Sequence, residues 1–207
     1  KIKVILNNNI GMGAANNIGL KKSKTQFAYI LNPDVRFNQS TFKNLINAAN
    51  QIDDFAIISP KNSNLKFPNY KVSEDNHINK NILNVKYVDG FSMLINKKKF
   101  KNKYFDENFF LYLEEIDLCK RLKEKGKKIY LAESIFVKHL GGMSHNPDYQ
   151  NKMEIQRNWH YLWSLFYFSR KHKGIIFAYK ITFRKFISAF FKLIFYYFIN
   201  KKKHLIY

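Results

Sequence analysis

Phe105-Asp106-Glu107-Asn108-Phe109-Phe110-Leu111-Tyr112-Leu113-Glu114-Glu115-Ile116-Asp117-Leu118-Cys119-Lys120-Arg121 sets five carboxylates among aromatic residues, in a chain of net charge +21. At 100° per residue, a helix from Tyr112 to Lys125 gathers Leu111, Tyr112, Ile116, Leu118, Cys119 and Leu122 on one apolar arc. That wheel places Glu115 near the middle of the arc and Glu114, Asp117 and Arg121 on the opposite, polar side. A carboxylate turned inward is costly unless it has a partner or a chemical task, so Glu115 is the first candidate for catalysis. Asp117 and Arg121 have the spacing of an ordinary i,i+4 pair. Gly126 ends the helix after a lysine-rich last turn that suits its dipole.

Outward from this stretch, strands and helices alternate. Lys3–Leu6 reads as a strand, Ala14–Lys22 as a helix opening on Gly11 and Gly13, and Phe27–Leu31 as a strand stopped by Asn32-Pro33-Asp34. Thr41–Gln51 carries an apolar helical stripe at Phe42, Leu45, Ile46 and Ala49, and Phe55–Ser59 is a further strand. The asparagine-rich stretch from Pro60 to Asn84 suggests a long surface loop or weak hairpin. Val85–Asp89 and Met93–Asn96 flank Gly90 as strands, and Ile129–Leu131 and Phe136–Lys138 are two more. The pattern predicts an α/β layer fold with a mostly parallel sheet flanked by helices. Lys1–Leu6 has the character of a short strand rather than a signal peptide.

Composition bounds the rest. The chain has 207 residues, 46% hydrophobic and 17% aromatic, which excludes a disordered class. A single cysteine excludes an internal disulfide framework and a cysteine-only metal site. Residues 1–150 form the catalytic-type domain and 151–207 a basic, aromatic tail. The tail holds twelve Lys and Arg against Glu154, about half of the net charge. Lys180, Arg184, Ser188 and Lys192 recur every four residues, so a helix there has a basic face beside a broad aromatic one. No uncharged run approaches the roughly 20 residues that a span requires, so the tail is expected to lie in the plane of an anionic membrane surface. Lys201, Lys202 and Lys203 add to that attraction. The competing reading is a single-strand nucleic-acid binder, through basic and aromatic residues together. The acidic cluster would repel phosphate and no motif of that class is present, so no nucleic acid is expected.

Four blocks in order resemble the family-2 glycosyltransferases of the GT-A fold, in the rhamnosyltransferase-like branch. They are Asn9-Ile10-Gly11-Met12-Gly13-Ala14-Ala15-Asn16-Asn17-Ile18-Gly19, Leu31-Asn32-Pro33-Asp34-Val35, the Phe105–Arg121 stretch, and His139-Leu140-Gly141-Gly142-Met143-Ser144. The glycines of the first block let backbone approach a ligand, and the helix start behind them favours phosphate. Asn16 stands where a dinucleotide fingerprint would carry its third glycine. The resemblance implies that Asn9, Gly11, Gly13, Asn16, Asn32 and Asp34 border a nucleotide-sugar donor. It implies a Mg²⁺ or Mn²⁺ ion at Asp34 and His139, and an acceptor side at Gly90, Asp106 and Glu107. Glu115 takes the place of the family's catalytic base, with Glu114 beside it where the family has Glu-Asp. Sugar transfer to a glycan or lipid-linked acceptor, with inversion, at the cytoplasmic face of the membrane, is the function this implies. The family's first two strands, which bind the nucleotide base, have no counterpart in the sequence, which opens at what would be the third. A membrane-surface scaffold without catalysis is therefore the alternative.

Overall fold

The central strands are near-continuous apolar runs, as expected of strands covered on both faces. A computed structural model describes residues 2–52, 54–79, 81–101, 103–141 and 150–199. In order, the elements are α1 (Met12–Lys22), β1 (Phe27–Leu31), β2 (Val35–Arg36), α2 (Gln39–Asn50), β3 (Ile57–Asn62), β4 (Tyr70–Asn79), β5 (Ile82–Val88) and β6 (Ser92–Asn96). A 3₁₀ turn at Lys97–Lys99 precedes α3 (Glu114–Glu124), β7 (Ile129–His139), α4 (Gln150–Lys173) and α5 (Ile175–Phe198). The strands form one sheet in the order β1-β6-β3-β7-β5-β4, with β2 paired to β7.

Side chains alternate between two cores, as the pleat dictates. Ile57, Met93, Ile95, Ile129 and Leu131 face Leu20 of α1 and Leu118, Cys119 and Leu122 of α3. Ile58, Leu94, Tyr130 and Ala132 face Leu45 and Ala49 of α2. The sheet is thus sandwiched between α1 with α3 on one side and α2 on the other. Asn38 caps α2 by accepting from the Thr41 backbone N–H at 2.8 Å, a cap of the preferred residue type.

The α/β layer class holds, and several details of the expected path change. The sheet is mixed: among the described residues only β3 and β7 run parallel, and the other pairs are antiparallel. Parallel neighbours need a crossover, usually helical, and no helix intervenes between Ile57 and Asn96. The expected loop from Pro60 to Asn84 holds the β4–β5 hairpin. The two short strands expected after Gly126 are one strand, β7. Its register against β3 jumps from Pro60↔Ala132 to Lys61↔Phe136, so an irregularity at 133–135 interrupts the apolar pattern without ending the strand. Lys3–Leu6 is not a strand: it makes no ladder, and Ile2, Val4 and Leu6 are 92%, 79% and 91% exposed.

The chain divides into two compact units. The first is Lys1–Asn108 with Glu114–Ser144; the second is Phe109–Leu113 with His145–Tyr207. Within the second, α4 and α5 form a helical hairpin turned at Gly174, whose φ of 89° suits glycine. Phe109 meets Tyr167 edge-on at 4.9 Å, Phe110 stacks on His160 at 4.4 Å, and the Ser164 hydroxyl donates to the Leu111 carbonyl at 2.7 Å. The five residues before Glu114 therefore belong with α4, about fifty residues later in sequence, which no local pattern announces. Phe183, Phe186, Phe191 and Phe195 of α5 are all more than half exposed. No helix among the described residues is long and apolar enough to cross a membrane. Residues 142–149 and 200–207, with Gly142, Met143, Ser144 and Lys201–Lys203, lie outside the described residues.

Candidate active site

The site is assembled where the start of α1 meets the start of α3. Gly11 precedes α1 at φ 92°, a conformation that favours glycine, and no side chain caps the helix. Its first backbone N–H groups are therefore available to an anionic ligand. Asn9 lies just outside, its Oδ1 accepting from the Gly11 N–H at 3.4 Å. At Gly13 a Cβ would lie 3.1 Å from Phe105 Cβ and 3.6 Å from Glu114 Cβ; at Gly90 it would lie 2.8 Å from Met12 Cε and 3.4 Å from Glu115 Cβ. Both positions are bare because the glycine turn, the β5–β6 connection and the acidic helix start approach within contact distance there.

Asn17, which the motif reading does not single out, fixes this approach. Its amide donates to the Phe105 carbonyl and to Glu107 Oε1, both at 2.9 Å, and its Oδ1 accepts from the Phe105 N–H at 3.0 Å. The buried Asn17 thus completes the Phe105 backbone as a neighbouring strand would. Its neighbour Asn16 has a buried Nδ2 with no hydrogen-bond partner among the described residues, a donor suited to a ligand oxygen.

The helical wheel of α3 is corrected by the structure. Glu114 and Asp117 are 1% and 0% exposed, whereas Glu115 is only partly buried. Tyr112 and Leu113 are not helical: they hold left-handed backbone at φ 73° and 66°, so α3 begins at Glu114. Its buried residues are then Glu114 and Asp117 together with Leu118, Cys119 and Leu122, the last three as expected. The Asp117–Arg121 pair expected from the i,i+4 spacing forms, but with Asp117 on the buried side. Asp117 Oδ2 accepts from Arg121 Nε at 2.7 Å, and Arg121 Nη2 donates to the Tyr104 carbonyl at 2.6 Å. Glu114 keeps one buried oxygen, Oε2, without a hydrogen bond. Burial pushes its pKa up to about 7. Glu115 is pushed up to about 8, first by desolvation, then by the negative charges of Glu114 and Asp89. Each carboxyl is thus pushed towards its protonated form, and the two titrate as a pair.

Asp89 is the second residue missed by motif reading. It lies just after β5, at the strand-end position where α/β sheets gather ligands, before the glycine that admits Met12. Burial raises its pKa, and the nearby His139 lowers it. His139, the last residue of β7, stacks on Phe91 at 4.2 Å and brings Nε2 to 3.4 Å from Asp34 Oδ1. Asn32 sits in the same turn, its N–H donating to the Phe91 carbonyl at 2.9 Å. Asp34 and His139, predicted as metal residues from blocks a hundred positions apart, are thus neighbours. Two adjacent ligands on an octahedral ion with bonds of about 2.1 Å lie about 3 Å apart, so this O,N pair fits a divalent cation. No group of three His, Cys, Asp or Glu side chains among the described residues could cage one.

Two of the expected acceptor-side residues have structural partners. Asp106 Oδ1 accepts from the Asn108 N–H at 3.0 Å in a local turn, and Glu107 is turned to α1, with Asn17 and, at 3.8 Å, Lys21. Gly90 does border the acidic centre.

The sequence profile of glycosyl transferase family 2 matches residues 1–119, more than half of the chain. The low-salt glycan biosynthesis hexosyltransferase Agl10 of Haloferax volcanii is 28% identical over 151 residues, 63% of this chain and 49% of that protein. The chain thus spans about half the length of this relative. A mannosyltransferase from Pyrobaculum calidifontis, solved with GDP-Man and Mn²⁺, superposes with a TM-score of 0.53 at 10% identity over 83% of this chain and 49% of its own. GalNAc-T7, solved with UDP, GalNAc and Mn²⁺, gives 0.51 at 12% identity over 79% and 37%. At such identities these two carry the fold, while the profile carries the ancestry: the chain belongs to glycosyl transferase family 2, and its fold is GT-A.

Proposed function

We propose that this chain is the catalytic part of an inverting hexosyltransferase. It would move a sugar from a nucleotide diphosphate donor to a glycan or lipid-linked acceptor in cell-surface polysaccharide synthesis. The observation that carries the reading is Glu115: a carboxyl at the start of α3 whose stem borders Gly90, its pKa raised to about 8 by burial, Glu114 and Asp89. A base titrating near the working pH is the effective kind. In the step proposed, the acceptor oxygen bonds to the anomeric carbon as the bond to the diphosphate breaks, and the hydroxyl proton passes to Glu115. The uncapped start of α1 and Asn16 Nδ2 bind and orient the diphosphate end of the donor. Asp34 and His139 would hold the divalent cation, which when bound supplies charge neutralisation for the departing diphosphate. Agl10 is a hexosyltransferase by name and the two structural neighbours were solved with nucleotides, sugars and Mn²⁺, which supports this donor class. The rhamnosyltransferase-like order of the motifs makes dTDP-rhamnose the first donor to try.

The second unit supports work at the cytoplasmic face of a membrane. On α5, Lys180, Arg184, Lys185 and Lys192 are exposed beside the exposed phenylalanines, a composition suited to the headgroup plane of anionic lipid.

The test is nucleoside diphosphate release from dTDP-rhamnose and related donors, with Glu115→Gln as the variant. Loss of the proton acceptor should lower turnover by about 10²–10⁴-fold while donor affinity is retained. Retention of more than about a tenth of the wild-type turnover would remove Glu115 from the role of base, given the size of general-base effects.

A further inference from the structure

A second concave site lies along α3, running from Ile116, next to the acidic centre, to Lys123. Its walls are Ser73 of β4, Asn84, Lys86 and Tyr87 of β5, Ile116, Lys120 and Lys123 of α3, and Lys128 before β7, around about 570 Å³. That volume is in the range of small-molecule pockets. Lys123 is eight residues beyond Glu115, so the two are about 12 Å apart along the helix at 1.5 Å per residue.

The described walls of this cleft are rich in lysine. Four of its eight described lining residues are lysines. Lys120 pairs with Glu124 at 2.6 Å, outside the lining. Lys123 is held instead by neutral oxygens: its Nζ donates to Asn84 Oδ1 at 2.7 Å and to Ser73 Oγ at 3.5 Å. Partial burial and then the charge of Lys128 lower its pKa, so the folded chain holds this ammonium against repulsion. Like charges gathered in a concavity focus a positive potential, and a bound anion relieves the repulsion between them. Tyr87 and Ile116 add an apolar wall against which the body of a ligand can pack.

We propose that this cleft is a phosphate site, taking a small phosphorylated molecule or a phosphate-bearing lipid headgroup, with Lys123 as the fixed donor and Lys120 and Lys128 around it. Lysine suits this role as a compact point charge with rotatable donors. The cleft is separate from the donor machinery at α1, Asp34 and His139, and the proposal does not depend on sugar transfer.

Lysine-selective acylation mapped by mass spectrometry reads the cleft residue by residue. The intact chain would be labelled with pyrophosphate, with vesicles of phosphatidic acid in phosphatidylcholine, and with sodium chloride at matched ionic strength. At a ligand concentration about twice the dissociation constant, mass action gives about threefold protection. That protection should fall on Lys120, Lys123 and Lys128, and spare Lys61, which pairs with Glu133 elsewhere. Protection in the pyrophosphate arm identifies a soluble ligand, and protection with vesicles alone identifies a headgroup. Lys128→Gln alters an exposed side chain and should weaken the protective effect about tenfold with the fold unchanged, a usual loss for a charged hydrogen bond. Lys123→Met should do the same more strongly. Equal protection of all lysines, or none in either arm, overturns the proposal.

Discussion

Replacing Glu114 by glutamine tests the electrostatics of the acidic centre directly. Glu114 is 1% exposed, and burial holds its pKa at about 7 against 4.5 for the free side chain. Between those values the unfolded chain has released the proton and the folded chain has kept it. Unfolding is therefore favoured as pH rises through that window, by about 1.36 kcal/mol per pH unit at most. Over the window the wild-type chain loses up to about 3.4 kcal/mol, and about 2 kcal/mol after allowance for relaxation around the charge. Glutamine carries no such term. Its amide nitrogen would meet the surroundings that leave Oε2 unpartnered, a cost of about 1–3 kcal/mol that does not depend on pH. The variant should therefore be less stable than wild type at pH 5 and gain on it steadily to pH 8. Urea unfolding at pH 5, 6, 7 and 8 measures the difference. A stability difference that stays constant over this range would show that Glu114 ionises as an exposed carboxylate does, and would refute the electrostatic account of the site. The same variant should shift the pH profile of kcat/KM for donor turnover. Glu115 must be ionised to act, so activity should rise towards about pH 8 in the wild type and at lower pH without the charge of Glu114.

Asp34→Ala should abolish most of the Mn²⁺ dependence of nucleoside diphosphate binding, and His139→Ala should reduce it less; calorimetry with and without the ion decides, and an unchanged metal effect in Asp34→Ala removes that residue from the set. Asn17→Ala leaves the Phe105 N–H and carbonyl without their partner and should cost about 2–4 kcal/mol in urea unfolding. A cost below about 0.5 kcal/mol, the level of an ordinary surface substitution, would show that other contacts hold the loop. The chain should sediment with anionic vesicles in a salt-sensitive manner and lose this on removal of residues 175–207. Equal, salt-insensitive binding to neutral vesicles would sink the in-plane reading.

Local signals were legible where a short stretch carries its own physics. Phe27–Leu31 is a strand at both bounds, and Asn32-Pro33-Asp34 and His139 mark strand ends that meet in space. The direction of strand pairing was not legible, because the alternation of β and α ceases after Ile57 and only long-range pairing orders the later strands. The wheel of α3 failed for a similar reason. It assumes that the polar face meets water, whereas Asp117 is buried with Arg121 and Glu114 is buried beside Gly13. Phe109–Leu113 reads as the start of that helix because it is apolar, and its partners His160, Ser164 and Tyr167 are too distant in sequence to register. Asp89 was within reach: an acid between an apolar strand and a glycine is a recognisable strand-end signal.

The sole cysteine gives the acidic helix a clock. Cys119 is fully buried one turn beyond Glu115, and its thiol is pushed up to about 12 by that burial. A thiol so placed has almost no thiolate to offer an alkylating reagent at neutral pH. Labelling can then occur only in the moments when α3 lifts from β5, so the alkylation rate counts those openings without any introduced probe. Because the same helix carries Glu114 and Glu115 at its start, that rate would report how often the acidic centre comes apart, and whether an occupied site holds it closed.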